Sequence, residues 1–148
     1  MAQKELLAAC GLYCGVCGVL IAHRESNEKF KERLSTVYGC APEEIACEGC
    51  FSKVRFKLCV ICPIRACAEN KAIDGCHQCD DFPCPLIDNF PIAVGKKVIL
   101  RATPTRREFG DERWAEQEEQ RYVCPNCGSR TFRGAKRCRS CREPLDID

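Results

Sequence analysis

The sequence predicts a small, metal-organised α+β protein: a cysteine-rich domain of short helices and irregular loops over residues 1–119, followed by a C-terminal β zinc ribbon over residues 120–148. Three observations predict it. Cysteine pairs two residues apart recur at Cys47/Cys50, Cys59/Cys62 and Cys76/Cys79, the spacing at which a tight turn aims both thiolates at one metal ion. A separate set, Cys124/Cys127 and Cys138/Cys141, has ten residues between its two knuckles, enough for a hairpin. Finally, apolar residues reach 45% of the 148 only when 16 cysteines are counted among them, so a conventional core is thin. Metal makes up that deficit, since one structural zinc contributes roughly 10–16 kcal/mol of binding free energy that is also folding free energy.

Taken in order, Lys4 to Ala9 reads as a short helical lead into Cys10, Cys14 and Cys17, with glycines after the last two that suit turns whose N–H groups face sulfur. An amphipathic helix follows, capped by Ser26, with Phe30, Leu34, Val37 and Tyr38 on its apolar face and Gly39 at its end. Pro42 opens a very short helix that delivers Cys47 and Cys50. Residues 51–58 alternate loosely between apolar and basic and fit either a hairpin arm or an extended loop. Pro63 starts two helical turns through Asn70, and Asp74-Gly75 breaks the chain before Cys76, Cys79 and Cys84, which repeat the spacing of Cys59, Cys62 and Cys67. Residues 85–102 carry helical periodicity interrupted near Pro91 and Gly95. Thr105 to Glu108 has capping-box spacing, and residues 111–121 form a polar connector helix anchored by Trp114 alone.

All sixteen cysteines are candidate metal ligands. Sequential grouping gives Cys10, Cys14, Cys17 and Cys40; Cys47, Cys50, Cys59 and Cys62; Cys67, Cys76, Cys79 and Cys84; and the C-terminal Cys124, Cys127, Cys138 and Cys141. Interleaved sets, with alternate pairs sharing an ion, satisfy the same stereochemistry. Cys40 reads equally as a ligand or as a buried apolar cysteine. His23 and His77 read as solvent-facing or as partners of ligands, and Glu48, Asp80 and Asp81 as turn and solubility residues.

The segments CGLYCGVC at Cys10 to Cys17, CEGC at Cys47 to Cys50, CVICPIRACAEN at Cys59 to Asn70 and CHQCDDFPC at Cys76 to Cys84 together resemble a cysteine-rich bacterial and archaeal family, domain of unknown function 3795. The resemblance runs from about Cys10 to about Phe90. It implies a cysteine-rich metal-binding protein and supplies no activity. Cys40 falls outside the family pattern.

A charged start, Met1-Ala-Gln-Lys-Glu, and an apolar run at Leu6 to Ala9 too short for a signal sequence favour the cytoplasm, no membrane, and thiolates on metal over disulfides. The leading function is zinc in closed four-cysteine sites, supporting an interaction surface for a protein or nucleic-acid partner. Closed sites leave no place for substrate, so the sequence favours a non-enzyme. Two alternatives stand beside it. Arg121, Arg130, Arg133, Lys136, Arg137, Arg139 and Arg142 would meet nucleic-acid phosphates, with Tyr122 or Phe132 to stack a base. An iron–sulfur cluster for electron transfer in the N-terminal domain also suits such cysteine density, and Cys62-Pro63 and Cys84-Pro85 resemble ferredoxin ligand ends. Cys10, Cys14 and Cys17 match the spacing of radical enzymes that use S-adenosylmethionine, but the chain is too short for their barrel. An open zinc site with Asp80, Asp81 or His77 as base is the remaining catalytic reading.

Overall fold

The computed structural model describes residues 3–148. Among these residues the regular structure is helical: α1 Gly18–Arg24, α2 Glu28–Tyr38, α3 Lys57–Val60, α4 Pro63–Asn70, α5 Pro85–Asp88, α6 Ala93–Phe109 and α7 Asp111–Arg121, with 3-10 turns at Lys4–Leu6, Cys14–Val16, Pro42–Glu44 and Cys76–Gln78. The expected α+β class is overturned. Extended pairing among the described residues is confined to three isolated bridges, Leu7 with Tyr13, Val123 with Arg130 and Arg137 with Pro144.

The β ribbon expected over residues 120–148 is overturned with it, for a local reason. Each knuckle closes on itself: Cys124 N donates to Ser129 O at 2.8 Å, and Cys138 N to Glu143 O at 2.9 Å. The chain between them then leaves, because Arg133 N donates to Val16 O at 2.8 Å instead of to a facing strand. Beyond one further bond at each knuckle, Thr131 N to Tyr122 O at 2.9 Å and Leu145 N to Lys136 O at 2.8 Å, pairing stops, and Pro125 and Pro144 lack donors to extend it.

In α2 the apolar spacing holds for Phe30 and Leu34, which are buried, and Gly39 ends the helix at φ 64° as a left-handed cap. The cap at its start is Asn27, whose Oδ1 accepts from Phe30 N at 3.0 Å; Ser26 lies one residue early, at φ 49°. Val37 is not on the buried face and is 77% exposed. Residues 51–56 form a loop, closed by Glu48 N donating to Val54 O at 2.8 Å, that buries Phe56 and enters α3.

The largest departure is α6. It runs unbroken from Ala93 to Phe109, through Gly95, where the sequence predicts an interruption, through Pro104, and through Thr105, where the sequence has capping-box spacing. Thr105 does not cap; its hydroxyl donates back to Arg101 O at 3.3 Å. Burial overrides local propensity here, for Val98, Ile99, Ala102, Thr103 and Arg106 are all at most 1% exposed. Gly95 is required because a Cβ there would strike the Phe90 ring. Helix α7 packs on α6 and is more than a connector. Beside Trp114 it buries Ala115 and Glu118, and Glu118 receives both nitrogens of the Arg101 fork at 2.6 and 3.1 Å.

Candidate metal centre

Cys124 and Cys127 flank Pro125-Asn126, and Cys138 and Cys141 flank Arg139-Ser140. In both turns backbone N–H groups point at the first sulfur: Ser140 N and Cys141 N approach Cys138 Sγ at 3.4 and 3.5 Å, and the amides of Asn126 and Cys127 act on Cys124. Gly128 at φ 74° and Arg142 at φ 67° let the chain turn back after each knuckle. The four sulfurs therefore converge. Cys124 Sγ lies 3.7 Å from Cys141 Sγ, Cys127 Sγ lies 3.6 Å from Cys138 Sγ, and all four are within 4.8 Å of one another.

Electrostatics favour thiolate at Cys127 and Cys138. The Ser129 hydroxyl and amide hold the Cys127 thiol down at about 6, and the amides of Cys141 and Ser140 lower Cys138. Cys124 is lowered by the Cys127 amide, yet burial and the neighbouring sulfurs of Cys141 and Cys138 push it up to about 11. Four sulfurs sharing negative charge is the situation that a bound cation relieves.

The other twelve cysteines are free thiols arranged more loosely. Among the described residues, the C-terminal set is the group of three or more His, Cys, Asp or Glu ligand atoms found within 4.8 Å of one another. Cys17, Cys40 and Cys47 pack against one apolar cluster around Val19, Phe30 and Ile45. Cys10, Cys14, Cys50, Cys62, Cys76 and Cys84 gather on another around Ile64, Ile87 and Ile99. Cys47 and Cys50 thus part company although they share one knuckle. Burial raises the Cys10 and Cys50 thiols and both are raised further by Cys62, and Cys59, pushed up to about 12 by burial, is raised further by Cys17 and Cys47 and then by Cys50 and Cys62. Burial also raises Cys14 and Cys47, and pushes Cys76 up to about 11 with Cys84, Cys79 and Cys67 beside it.

The sequence marks Arg133 only as a candidate phosphate contact and does not mark Lys71; in the structure both stand beside cysteines. Arg133 donates from Nη1 to Tyr13 O at 3.1 Å, and its charge acts chiefly on Cys17 and Cys14, more than 110 residues earlier in the chain. Lys71 Nζ approaches Cys79 Sγ at 3.2 Å and Asp81 Oδ2 at 3.0 Å. Only the second had a local signal, a lysine close in sequence to a knuckle. His77 is packed and not solvent-facing: its side chain is 10% exposed, its Nε2 is 3.8 Å from Asp111 Oδ1, and burial and then Arg106 lower its pKa. His23 sits in the last turn of α1.

The fold and this site define a small helical cysteine-rich protein with a four-thiol group able to hold a metal ion. Residues 6–89, more than half of the chain, match the model of the family described as "Protein of unknown function (DUF3795)", and the chain belongs to that family. No curated protein and no solved structure matches the chain. Among the described residues, no helix is long and apolar enough to cross a membrane.

Proposed function

We propose that the chain is a non-catalytic binding protein in which Cys124, Cys127, Cys138 and Cys141 hold one zinc ion as a structural clamp. The observation that carries this reading is the sulfur spacing. A tetrahedral ion with Zn–S bonds of about 2.3 Å sets its sulfurs about 3.8 Å apart, and the two cross-knuckle separations are 3.6 and 3.7 Å. Four protein thiolates close the coordination sphere, so the ion binds no substrate, and soft thiolate ligands in this geometry favour zinc.

The clamp has something to hold. Between the knuckles the chain carries Phe132 onto Phe30 and Arg133 onto Tyr13, and after the third cysteine Arg139 pairs with Glu25 at 3.2 Å and lies 4.5 Å over the Phe30 ring. These same engagements argue for structure over nucleic-acid binding. Arg130 pairs with Glu119 at 3.6 Å, Arg137 donates to Arg142 O at 3.2 Å, and Tyr122 is buried against Asp148. Outside the C-terminal module Val37, Val60 and Ile61 stand 77, 54 and 76% exposed, apolar side chains that a protein partner would cover.

Metal analysis of the full chain beside a Cys127→Ser/Cys138→Ser variant tests the clamp. The wild type retains zinc through gel filtration and the variant carries one zinc fewer. Equal zinc in both proteins would overturn the reading.

A further inference from the structure

A second group of four cysteines is arranged for a different ligand. Cys67 on α4, Cys76 and Cys79 on the following turn, and Cys84 before α5 line one cavity of about 410 Å³. The rest of its wall is mainly apolar, with Ile64, Ala68, Ile73, Phe82 and Ile87 among its members. No three of the four sulfurs come within 4.8 Å of one another. That spread exceeds the sulfur separation of about 3.8 Å around one tetrahedral ion. The space also exceeds what one ion requires, since a single water molecule needs only about 10–15 Å³.

We propose that Cys67, Cys76, Cys79 and Cys84 hold a four-iron, four-sulfide cluster in this cavity. Such a cluster takes one thiolate at each of its four irons, so its ligands stand around a body with volume of its own, not around a point. The walls suit it. Inorganic sulfide asks for few hydrogen bonds, and apolar side chains make up most of the wall. The assembly of cluster and thiolates is anionic, and Lys71 supplies a cation whose Nζ lies 3.2 Å from Cys79 Sγ while held by Asp81. Pro85 follows Cys84 at the first position of α5, which turns the chain away from the ligand. The site shares no ligand with the C-terminal zinc clamp, so either can fail without the other.

The test is expression with iron and zinc both supplied, purification without oxygen, and iron, sulfide and zinc analysis of the wild type beside Cys76→Ser/Cys79→Ser. The variant loses about four irons and four sulfides per chain, with the visible absorption they carry, and keeps its C-terminal zinc. A difference of two irons, zinc in place of iron, or no difference would overturn the proposal. Lys71→Met guards against a double variant that does not fold. It retains the iron and lowers the midpoint potential for one-electron reduction by dithionite, because a donor to the ligand sulfur is gone. An unchanged potential would place the cluster elsewhere.

Discussion

The ring of Phe132 lies 4.9 Å, centroid to centroid, from that of Phe30, which joins the segment between the two C-terminal knuckles to the buried face of α2. Gly18 passes beneath the pair, close enough that a Cβ there would sit 3.1 Å from the Phe132 ring and 3.4 Å from Phe30. The four-cysteine module at one end of the chain is thereby coupled to helix packing at the other.

Phe132→Ala removes this coupling without touching a ligand. It costs about 2–3 kcal/mol, below the usual range for a fully buried phenylalanine because the ring is only partly buried. Thermal unfolding should show the loss, zinc content should be unchanged, and cleavage by a protease near residue 132 should accelerate. Unaltered proteolysis would show that the ring contributes nothing to docking.

Acidification should release the proposed C-terminal zinc as protons compete for the thiolates, and a strong chelator should do so at neutral pH. Because Arg133 N donates to Val16 O, the release should also raise hydrogen exchange at Arg133, a signal read by mass spectrometry. Full protection there after metal removal would mean that the docking stands without the clamp.

Arg133→Glu and Arg137→Glu separate structure from surface charge. Arg133 carries the hydrogen bond to Tyr13 and the cation beside Cys14 and Cys17, so reversal there should cost about 3 kcal/mol or more. Arg137 is exposed, bonded only to Arg142 O, and its reversal should stay within about 0.5 kcal/mol. Chemical denaturation of the two variants checks the ranking.

Arg106 is 1% exposed, lies 4.6 Å over the Trp114 ring, donates to Ala8 O at 2.8 Å and pairs with Asp111 at 2.6 Å. Arg106→Leu strips the guanidinium from the Asp111 carboxylate, leaves the Ala8 carbonyl with only the longer bond from Gly11 N at 3.3 Å, and should destabilise by about 2–4 kcal/mol. A smaller loss in Trp114→Phe than in Arg106→Leu would place the larger share of the energy in the polar bonds.

Gly49→Ala and Gly75→Ala should both impair folding, for different reasons. Gly49 has φ 125° and a Cβ would meet the Glu5 carbonyl, so backbone strain and collision add. Gly75 has extended φ, so no backbone strain adds to the collision of the added carbon with the Ala9 carbonyl oxygen at 2.7 Å and His77 Nδ1 at 3.1 Å. Soluble yield and melting temperature should rank Gly49→Ala below Gly75→Ala.

Several of these features are legible in the sequence because they are local. The C-terminal four-thiol group follows from two short knuckles, the cap at Gly39 from a positive φ that glycine tolerates, and helices at α4 and α7 from Pro63 at a first turn and a run of helix formers at residues 111–121. Each depends on residues within a turn or two of one another, where stereochemistry leaves little choice.

Tertiary structure decided the rest. The α+β expectation failed because knuckle spacing predicts where sulfurs turn, not whether the chain between them finds a strand partner; Arg133 found Val16. Continuity of α6 through Gly95 and Pro104 came from burial of Val98, Ile99 and Ala102, which outweighs two local penalties. The division of Cys47 from Cys50, and the gathering of Cys10 and Cys14 with Cys50 and Cys62, rests on which apolar cluster each sulfur enters. Spacing in the chain fixes the angle between two neighbouring thiols. Which distant residues lie beside them is set by the packing of the whole chain, and no local pattern encodes it.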